Sequence, residues 1–336
     1  MKRFALAILF LALASCSMSE QRAQGEQTPK ERSKYIVKLW KAWVKEHGAD
    51  QAAIAVSYKG ALIAKKGFDR LPTERVPIAS VSKAVTGMCI AKLVAQGQLS
   101  FSDSIQDKVS DFPADMKIAD LLTHTSGFRE DITQRNPVTF PSTRQELLDW
   151  VSKTEVAAVS RAPEKFLPGE YFYNNANYAM LGLVITSITG KSYEQSCGEL
   201  VLEPAGILSY DLNPPWRIMS SWGGWRLSAV DVLQFYDHYF SNNRVMGKTP
   251  TAYPYHDIGN GLKYGMGYLF RTGRNGGYNF FHDGRWHVDF ENRKHRFGAF
   301  AVKWDNGWAV STNHSISALN GEHAELDNLL STATHH

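Results

Sequence analysis

The spacing of hydrophobic and polar positions changes character twice along this chain. Tyr35, Leu39, Trp40, Trp43 and Val44 recur at helical intervals within Glu31–Glu46, which predicts a helix laying one face on a sheet. Ala53–Tyr58 and Ala61–Lys66 read as two strands joined at Lys59-Gly60, a two-residue hairpin. Ser80–Gln96 reads as a helix stopped by Gly97. From about Leu99 to Tyr210 the pattern becomes helices and loops, with Thr143–Lys153 and Tyr178–Thr189 as examples. Strand character returns in Tyr264–Arg271, Tyr278–His282, Phe297–Trp304 and Trp308–Asn313, the last two flanking an Asp305-Asn306-Gly307 turn. Asn320–Ser331 reads as a closing helix. The expected fold class is α/β (α+β): an antiparallel sheet built from both chain ends, flanked by N- and C-terminal helices and interrupted by a mostly helical insertion. The expected division is a sheet domain of residues 35–98 and 225–336, with a helical domain of residues 99–224.

Composition narrows the partners. The chain has 336 residues, 43% hydrophobic and 21% charged, which suits a globular protein and excludes a disordered one. The formal charge is only +4 and no basic run stands out, so nucleic acid is not an expected partner. The N-terminus differs from the rest. Met1-Lys2-Arg3 is a basic start, and Phe4–Ala14 is an apolar run too short to span a bilayer. Leu13-Ala14-Ser15-Cys16 then resembles the lipobox of bacterial lipoproteins, where cleavage precedes a lipidated cysteine. Residues 1–15 are therefore expected to be a signal peptide, Cys16 a lipidation site, and the polar stretch 16–34 a tether. That implies an exported, periplasmic lipoprotein attached to the membrane by its lipid. Cys89 and Cys197 remain; they could pair in an oxidising compartment, but Cys89 sits in an apolar helical stretch and is expected as a buried free thiol. His335-His336 is expected to be an unstructured end, not a metal site.

No Gly-x-Ser-x-Gly elbow, His-Glu-x-x-His, paired Cys-x-x-Cys or Walker loop occurs. No metal or other cofactor is implied. Ser80-Val81-Ser82-Lys83 does carry nucleophile chemistry. A serine at a helix start lies beside free backbone N–H groups and the positive end of the dipole. A lysine three residues on shares its face, and a desolvated amine can take the hydroxyl proton near neutral pH.

Alone this spacing is common, but further motifs follow in order. Tyr173-Asn174-Asn175 lies within a Pro168-Gly169-Glu170 loop signature, and His282-Asp283-Gly284 follows on a predicted strand. Between and around them stand Leu121-Leu122-Thr123-His124-Thr125-Ser126-Gly127-Phe128, Gly223-Gly224-Trp225-Arg226-Leu227-Ser228-Ala229-Val230-Asp231 and Tyr264-Gly265-Met266-Gly267-Tyr268. With these motifs, covering about residues 50–314, the chain resembles the serine β-lactamase and penicillin-binding superfamily. The resemblance is to the branch of class C β-lactamases, D-Ala-D-Ala carboxypeptidases, D-aminopeptidases and related esterases.

The resemblance implies a β-lactamase/transpeptidase-like fold with the active site between its two domains. It assigns Ser80 as the nucleophile that forms an acyl-enzyme, with Lys83 and Tyr173 sharing the proton transfers, the phenol held near its anionic form. Asn175 would orient Lys83 and donate to the substrate amide. His282 would polarise the tyrosine or bind a substrate carboxylate. The backbone N–H groups of Ser80 and Arg285, beside Gly284, would form the oxyanion hole. His124 is expected to belong to a structural loop and not to act as a base. Arg285 and Trp286 depart from the small residues usual after the third motif, and should narrow the acyl pocket; Arg285 could also grip a substrate carboxylate. The tryptophans Trp216, Trp222, Trp225, Trp286, Trp304 and Trp308 suggest core packing more than a glycan-stacking wall. The expected function is an exported serine hydrolase acting on D-amino-acid peptides or amides of the cell envelope. The alternatives are a carboxylesterase or β-lactamase with the same machinery, and a low-turnover penicillin-binding sensor.

Overall fold

In a computed structural model the described residues are 27–110, 115–131, 133, 143–156, 167–210, 216–290, 293–316 and 322–335. The expected signal segment 1–15 and Cys16 lie outside them. No helix among the described residues is long and apolar enough to cross a membrane.

Helix α1 (Pro29–Glu46) opens with a capping box, in which Thr28 and Glu31 satisfy each other's backbone N–H groups. It begins inside the stretch read as a tether. Trp40, Trp43 and Val44 are buried, as their spacing predicts, but the face is completed by Ile36 in place of Tyr35, which is exposed, and Leu39 is only partly buried. Trp40 Nε1 donates to Thr312 Oγ1 at 2.9 Å. Strands β1 (Ala52–Tyr58) and β2 (Ala61–Phe68) form the expected hairpin, with Lys59 and Gly60 both at positive φ. A short strand β3 (Val76–Pro77) leads through a 3-10 turn, Ala79–Val81, into α2 (Ser82–Ala95). Ser80 therefore sits in this tight turn and not in the first turn of the α-helix. Then come α3 (Ile118–Leu122), α4 (Arg144–Val151), α5 (Asn175–Thr189) and α6 (Tyr193–Cys197).

After β4 (Arg226–Leu227), which pairs with β3, helix α7 (Ala229–Phe240) starts on the Ser228–Asp231 capping box. A short α8 (Val245–Lys248) precedes the late strands. The predicted strand Tyr264–Arg271 is two strands, β6 (Leu262–Gly265) and β7 (Tyr268–Thr272), preceded by an unforeseen β5 (His256–Gly259). The turn between β6 and β7 is Met266-Gly267, both at positive φ. It packs so tightly on α2 that a Cβ on Gly267 would fall 2.1 Å from the Lys83 carbonyl oxygen. The glycines of that motif thus serve a close approach, not strand pairing. Strands β8 (Tyr278–Phe290), β9 (Arg293–Lys303) and β10 (Trp308–His314) and helix α9 (Glu322–His335) complete the chain. His335 ends a helix, against the expectation of an unstructured end.

The eight-stranded antiparallel sheet runs β2-β1-β10-β9-β8-β7-β6-β5, the mixed α/β class expected. Its two faces differ. Ile54, Val56, Phe300, Val302 and Val310 pack under α1 and α9, while Ala53, Ala55 and Ala309 let α7 lie close on the other side. A third cluster joins α2, α3, α4 and α5 to the sheet through Met266, Phe280 and Ala301. Within it Cys89 and Cys197 form a disulfide, Cα atoms 5.4 Å apart, in place of the expected free thiols. Trp222, Trp225, Trp286, Trp304 and Trp308 are all buried, which excludes them as an exposed glycan wall.

Candidate active site

The turn at Ala79 is the sharpest feature beside Ser80. Ala79 has φ 47°, a left-handed conformation that strains a residue bearing a Cβ. It leaves Ser80 partly exposed while Lys83, three residues on, is wholly buried. Lys83 Nζ lies 3.0 Å from Ser80 Oγ and donates to the Trp222 carbonyl at 2.8 Å. Burial pulls the amine down to about 7, only partly opposed by Asp131 and Asp283. A lysine at that value is largely unprotonated just above neutrality and can accept the serine proton.

Tyr173 precedes α5, and its ring sits 4.9 Å from Lys83 Nζ. Its hydroxyl is buried, without a close partner, on the Ser80 side. Burial raises this phenol well above its ordinary value, although Ser80 offsets part of the effect. Burial thus favours the protonated phenol, against the expected near-anionic form. The ring of His124 lies 4.4 Å from that of Tyr173. His124 Nδ1 accepts from the Asn174 N–H and faces Asn177 Nδ2, so it laces its loop to the start of α5. Burial, then Lys83 and His282, hold its pKa well below the ordinary imidazole value.

Asn175 is placed differently from expectation. Its Nδ2 donates to Thr133 Oγ1 at 2.8 Å, Thr133 donates to Asp131, and its own Oδ1 is buried without a partner. The oxygens that Lys83 meets are those of Ser80 and Trp222, so the Trp222 carbonyl orients the amine. Neither Asp131, Thr133 nor a backbone carbonyl leaves a motif that reasoning from residue types could find. Glu155 was equally hidden. Buried, it accepts from the N–H groups of Arg129 and Glu130 and from Asn174 Nδ2, and it thereby ties that loop to the start of α5.

The third motif approaches Ser80 by way of β8. A Cβ on Gly284 would meet the Ile78 carbonyl oxygen at 2.5 Å and the Ser80 nitrogen at 2.8 Å. Only glycine lets this strand close on the nucleophile's N–H, which suits an oxyanion hole made with the Arg285 N–H. Gly284→Ala is accordingly expected to slow Ser80 acylation about 10²-fold, the usual effect of a misplaced oxyanion donor. Rates of active-site phosphonylation check this, and an unchanged rate would remove the strand edge from the site.

His282 is buried on the cleft side, its ring 6.3 Å from that of Tyr173. Nδ1 bonds to the Asp283 carbonyl, so Nε2 is left as the acceptor. Burial holds the imidazole down at about 4, despite Asp283 beside it. A neutral ring can polarise the phenol but cannot hold a carboxylate by charge. Arg285 is turned away as well. Asp283 and Arg285 alternate with His282 along the strand and so face α9, where Arg285 Nε meets Asp283 Oδ2 at 3.0 Å. Its guanidinium therefore lies with Asp283 on the face opposite His282, away from the position expected for a group that grips a substrate carboxylate. Trp286 does stand on the cleft side, donating to the Gly223 carbonyl at 3.1 Å.

The family profile described as Beta-lactamase matches residues 34–284. Protein flp of Staphylococcus aureus (strain MW2) is 32% identical over 170 residues, 46% of this chain and 33% of that protein. The match thus spans about a third of that relative's length. A beta-lactamase/D-alanine carboxypeptidase from Pseudomonas syringae superposes with a TM-score of 0.69 at 13% identity, covering 90% of this chain and 98% of that one. A D-stereospecific amidohydrolase from Streptomyces sp. gives 0.65 at 17% identity, covering 83% and 93%. At these identities the two structures share the fold.

Proposed function

Because the chain belongs to the beta-lactamase family, we propose that it is an exported serine hydrolase that forms an acyl intermediate on Ser80 from D-amino-acid peptides or amides of the cell envelope. The observation that carries this reading is a wholly buried lysine amine 3.0 Å from a partly exposed serine hydroxyl. Neutral Lys83 takes the Ser80 proton as Oγ attacks the carbonyl, and the oxyanion forms against the N–H groups of Ser80 and Arg285. Protonated Tyr173 hands a proton to the leaving group, and His282 Nε2 supports the phenol as an acceptor. Water then releases the acyl group by the reverse transfers.

Two features support export and a peptide substrate. A disulfide persists in oxidising compartments, which fits a periplasmic lipoprotein held through Cys16. The fold neighbours include proteins named for D-alanine carboxypeptidase and D-stereospecific amidohydrolase activity. Histidine in place of lysine in the third motif leans away from a dedicated β-lactamase.

The test is parallel turnover of a D-Ala-D-Ala peptide, a D-amino-acid amide, a chromogenic cephalosporin and a short-chain ester, with Ser80→Ala as the blank. Peptide or amide turnover supports the proposal. Ester turnover alone assigns a carboxylesterase and rapid cephalosporin turnover a β-lactamase; a stable adduct with a labelled penicillin, with no turnover of any of the four substrates, assigns a sensor. Since Lys83 must be unprotonated to act, the acylation rate should rise with pH through one ionisation near 7 and then level off. His282, already neutral above about pH 4, should add no inflection between pH 5 and 9. A rate that falls as pH rises through 7 would exclude Lys83 as the base.

A further inference from the structure

Behind β8, on the face away from Ser80, a second group of titratable side chains converges from three elements. Asp283 Oδ2 accepts from Arg285 Nε at 3.0 Å and meets His323 Nδ1 of α9 at 3.3 Å. His323 Nε2 lies 2.8 Å from Nε2 of His314, which is wholly buried at the end of β10. The His314 ring rests on Gly298, where a Cβ would fall 2.1 Å from it, and His323 stacks on Phe300. One assignment of protons satisfies the row. His323 donates from Nδ1 to Asp283 and accepts at Nε2 from His314, which leaves His314 Nδ1 a lone pair. That nitrogen is the one without a partner. Burial would raise the Asp283 pKa, yet the His323 hydrogen bond and the nearby His282, His323 and Arg285 hold it below the usual carboxylate range. A metal is the rival occupant, but the described residues contain no cluster of three ligands.

The strand needs such a hold. β7 pairs with β8 only as far as Phe281, so from His282 onward β8 is backed by β9 alone and meets the Ala79–Val81 turn on its other side. That stretch carries His282, Gly284 and the Arg285 N–H. Asp283 is gripped at two points, its carboxylate by α9 and its carbonyl by His282.

We propose that Asp283, His323 and His314 form a clamp that fixes the open edge of β8 against Ser80, with Asp283 and His323 as positioning residues for His282 and the Arg285 N–H. The effect on rate rests on the serine-hydrolase reading; the effect on the strand does not.

The experiment compares wild type, His323→Leu and His323→Asn by hydrogen–deuterium exchange over Phe281–Trp286 and by the rate of Ser80 labelling with a fluorophosphonate. Asparagine keeps a donor where Nδ1 sits, and leucine fills the space without one. In His323→Leu, exchange over this segment should be about tenfold faster and labelling about tenfold slower, the loss of a hydrogen bond to a charged group, with protection of β1 unchanged. His323→Asn should stay within about threefold of wild type in both. Wild-type protection of Phe281–Trp286 in His323→Leu would overturn the clamp, as would equal loosening in both variants, which would show packing alone. Asp283→Ala, at a side chain 35% exposed, tests the same contact if His323→Leu does not fold. If wild type takes no label, the hydrolase reading fails while exchange still decides the clamp.

Discussion

Lys83→Met is expected to lower the rate of Ser80 acylation by about 10³-fold, the range of a lost general base, while making the folded protein more stable near neutral pH. The gain has a physical origin. Lys83 is wholly buried and its amine is pulled down to about 7, whereas an unfolded lysine titrates near 10.4. Between those two values the unfolded chain binds the extra proton, so stability rises with pH across that window. At and below pH 7 the full cost of burying the ammonium is present, and above about pH 10.4 it is gone. Methionine removes that cost, although it strands the Trp222 carbonyl without its donor, at about 1–3 kcal/mol. The variant should therefore melt a few degrees above wild type at pH 6–7, and the advantage should shrink by about 1.4 kcal/mol per pH unit above pH 7. Thermal unfolding at pH 6, 8 and 10 checks the sign and the slope. A variant less stable than wild type at pH 6 would mean that Lys83 is not a buried, poorly solvated base.

Much of this architecture is written locally. The hairpin at Lys59-Gly60, the helical face of Trp40, Trp43 and Val44, and the turn at Asp305-Asn306-Gly307 follow from neighbours in sequence. The serine, lysine, tyrosine and histidine of the site came from motifs, and Ser80, Lys83, Tyr173 and His282 do share one cleft. What was missed depends on contacts across the fold. Asn175 faces Thr133, and Lys83 is oriented by a backbone carbonyl 139 residues away. Neither contact leaves a residue-type signature. Arg285 is a different case. It lies three residues from His282 on a strand, and odd spacing places the two on opposite faces. With His282 in the cleft, the alternation alone sends the guanidinium toward α9, a placement the pleat dictates and the motif does not. The split of Tyr264–Arg271 was legible in the same way, since Gly265-Met266-Gly267 is poor material for a strand interior.

Replacing both Cys89 and Cys197 by alanine should lower the melting temperature by roughly 5–10 °C while leaving turnover at 25 °C within about twofold of wild type. The sulfurs join positions 108 residues apart, and closing a loop of that length in the unfolded chain carries an entropy of about 4–5 kcal/mol, with measured losses nearer 2–5 kcal/mol. The geometry of the site should survive because other bonds hold the same elements. Cys89 lies six residues beyond Lys83 on α2, and Cys197 ends α6. Between these helices Tyr193 of α6 meets Thr86 of α2 at 2.6 Å and accepts from Trp225 Nε1, while Thr86 donates to the Ser221 carbonyl beside Trp222. That network fixes Lys83 and the carbonyl that orients it without help from sulfur. Both cysteines are wholly buried, so the folded protein should resist reduction until it unfolds, and a reductant should lower the wild-type melting temperature toward that of the variant. Calorimetry with and without reductant, alongside turnover at 25 °C, separates the two roles. A variant that melts with wild type would deny the cross-link its place in stability. One that keeps its melting temperature but loses turnover would make the disulfide part of the catalytic geometry instead.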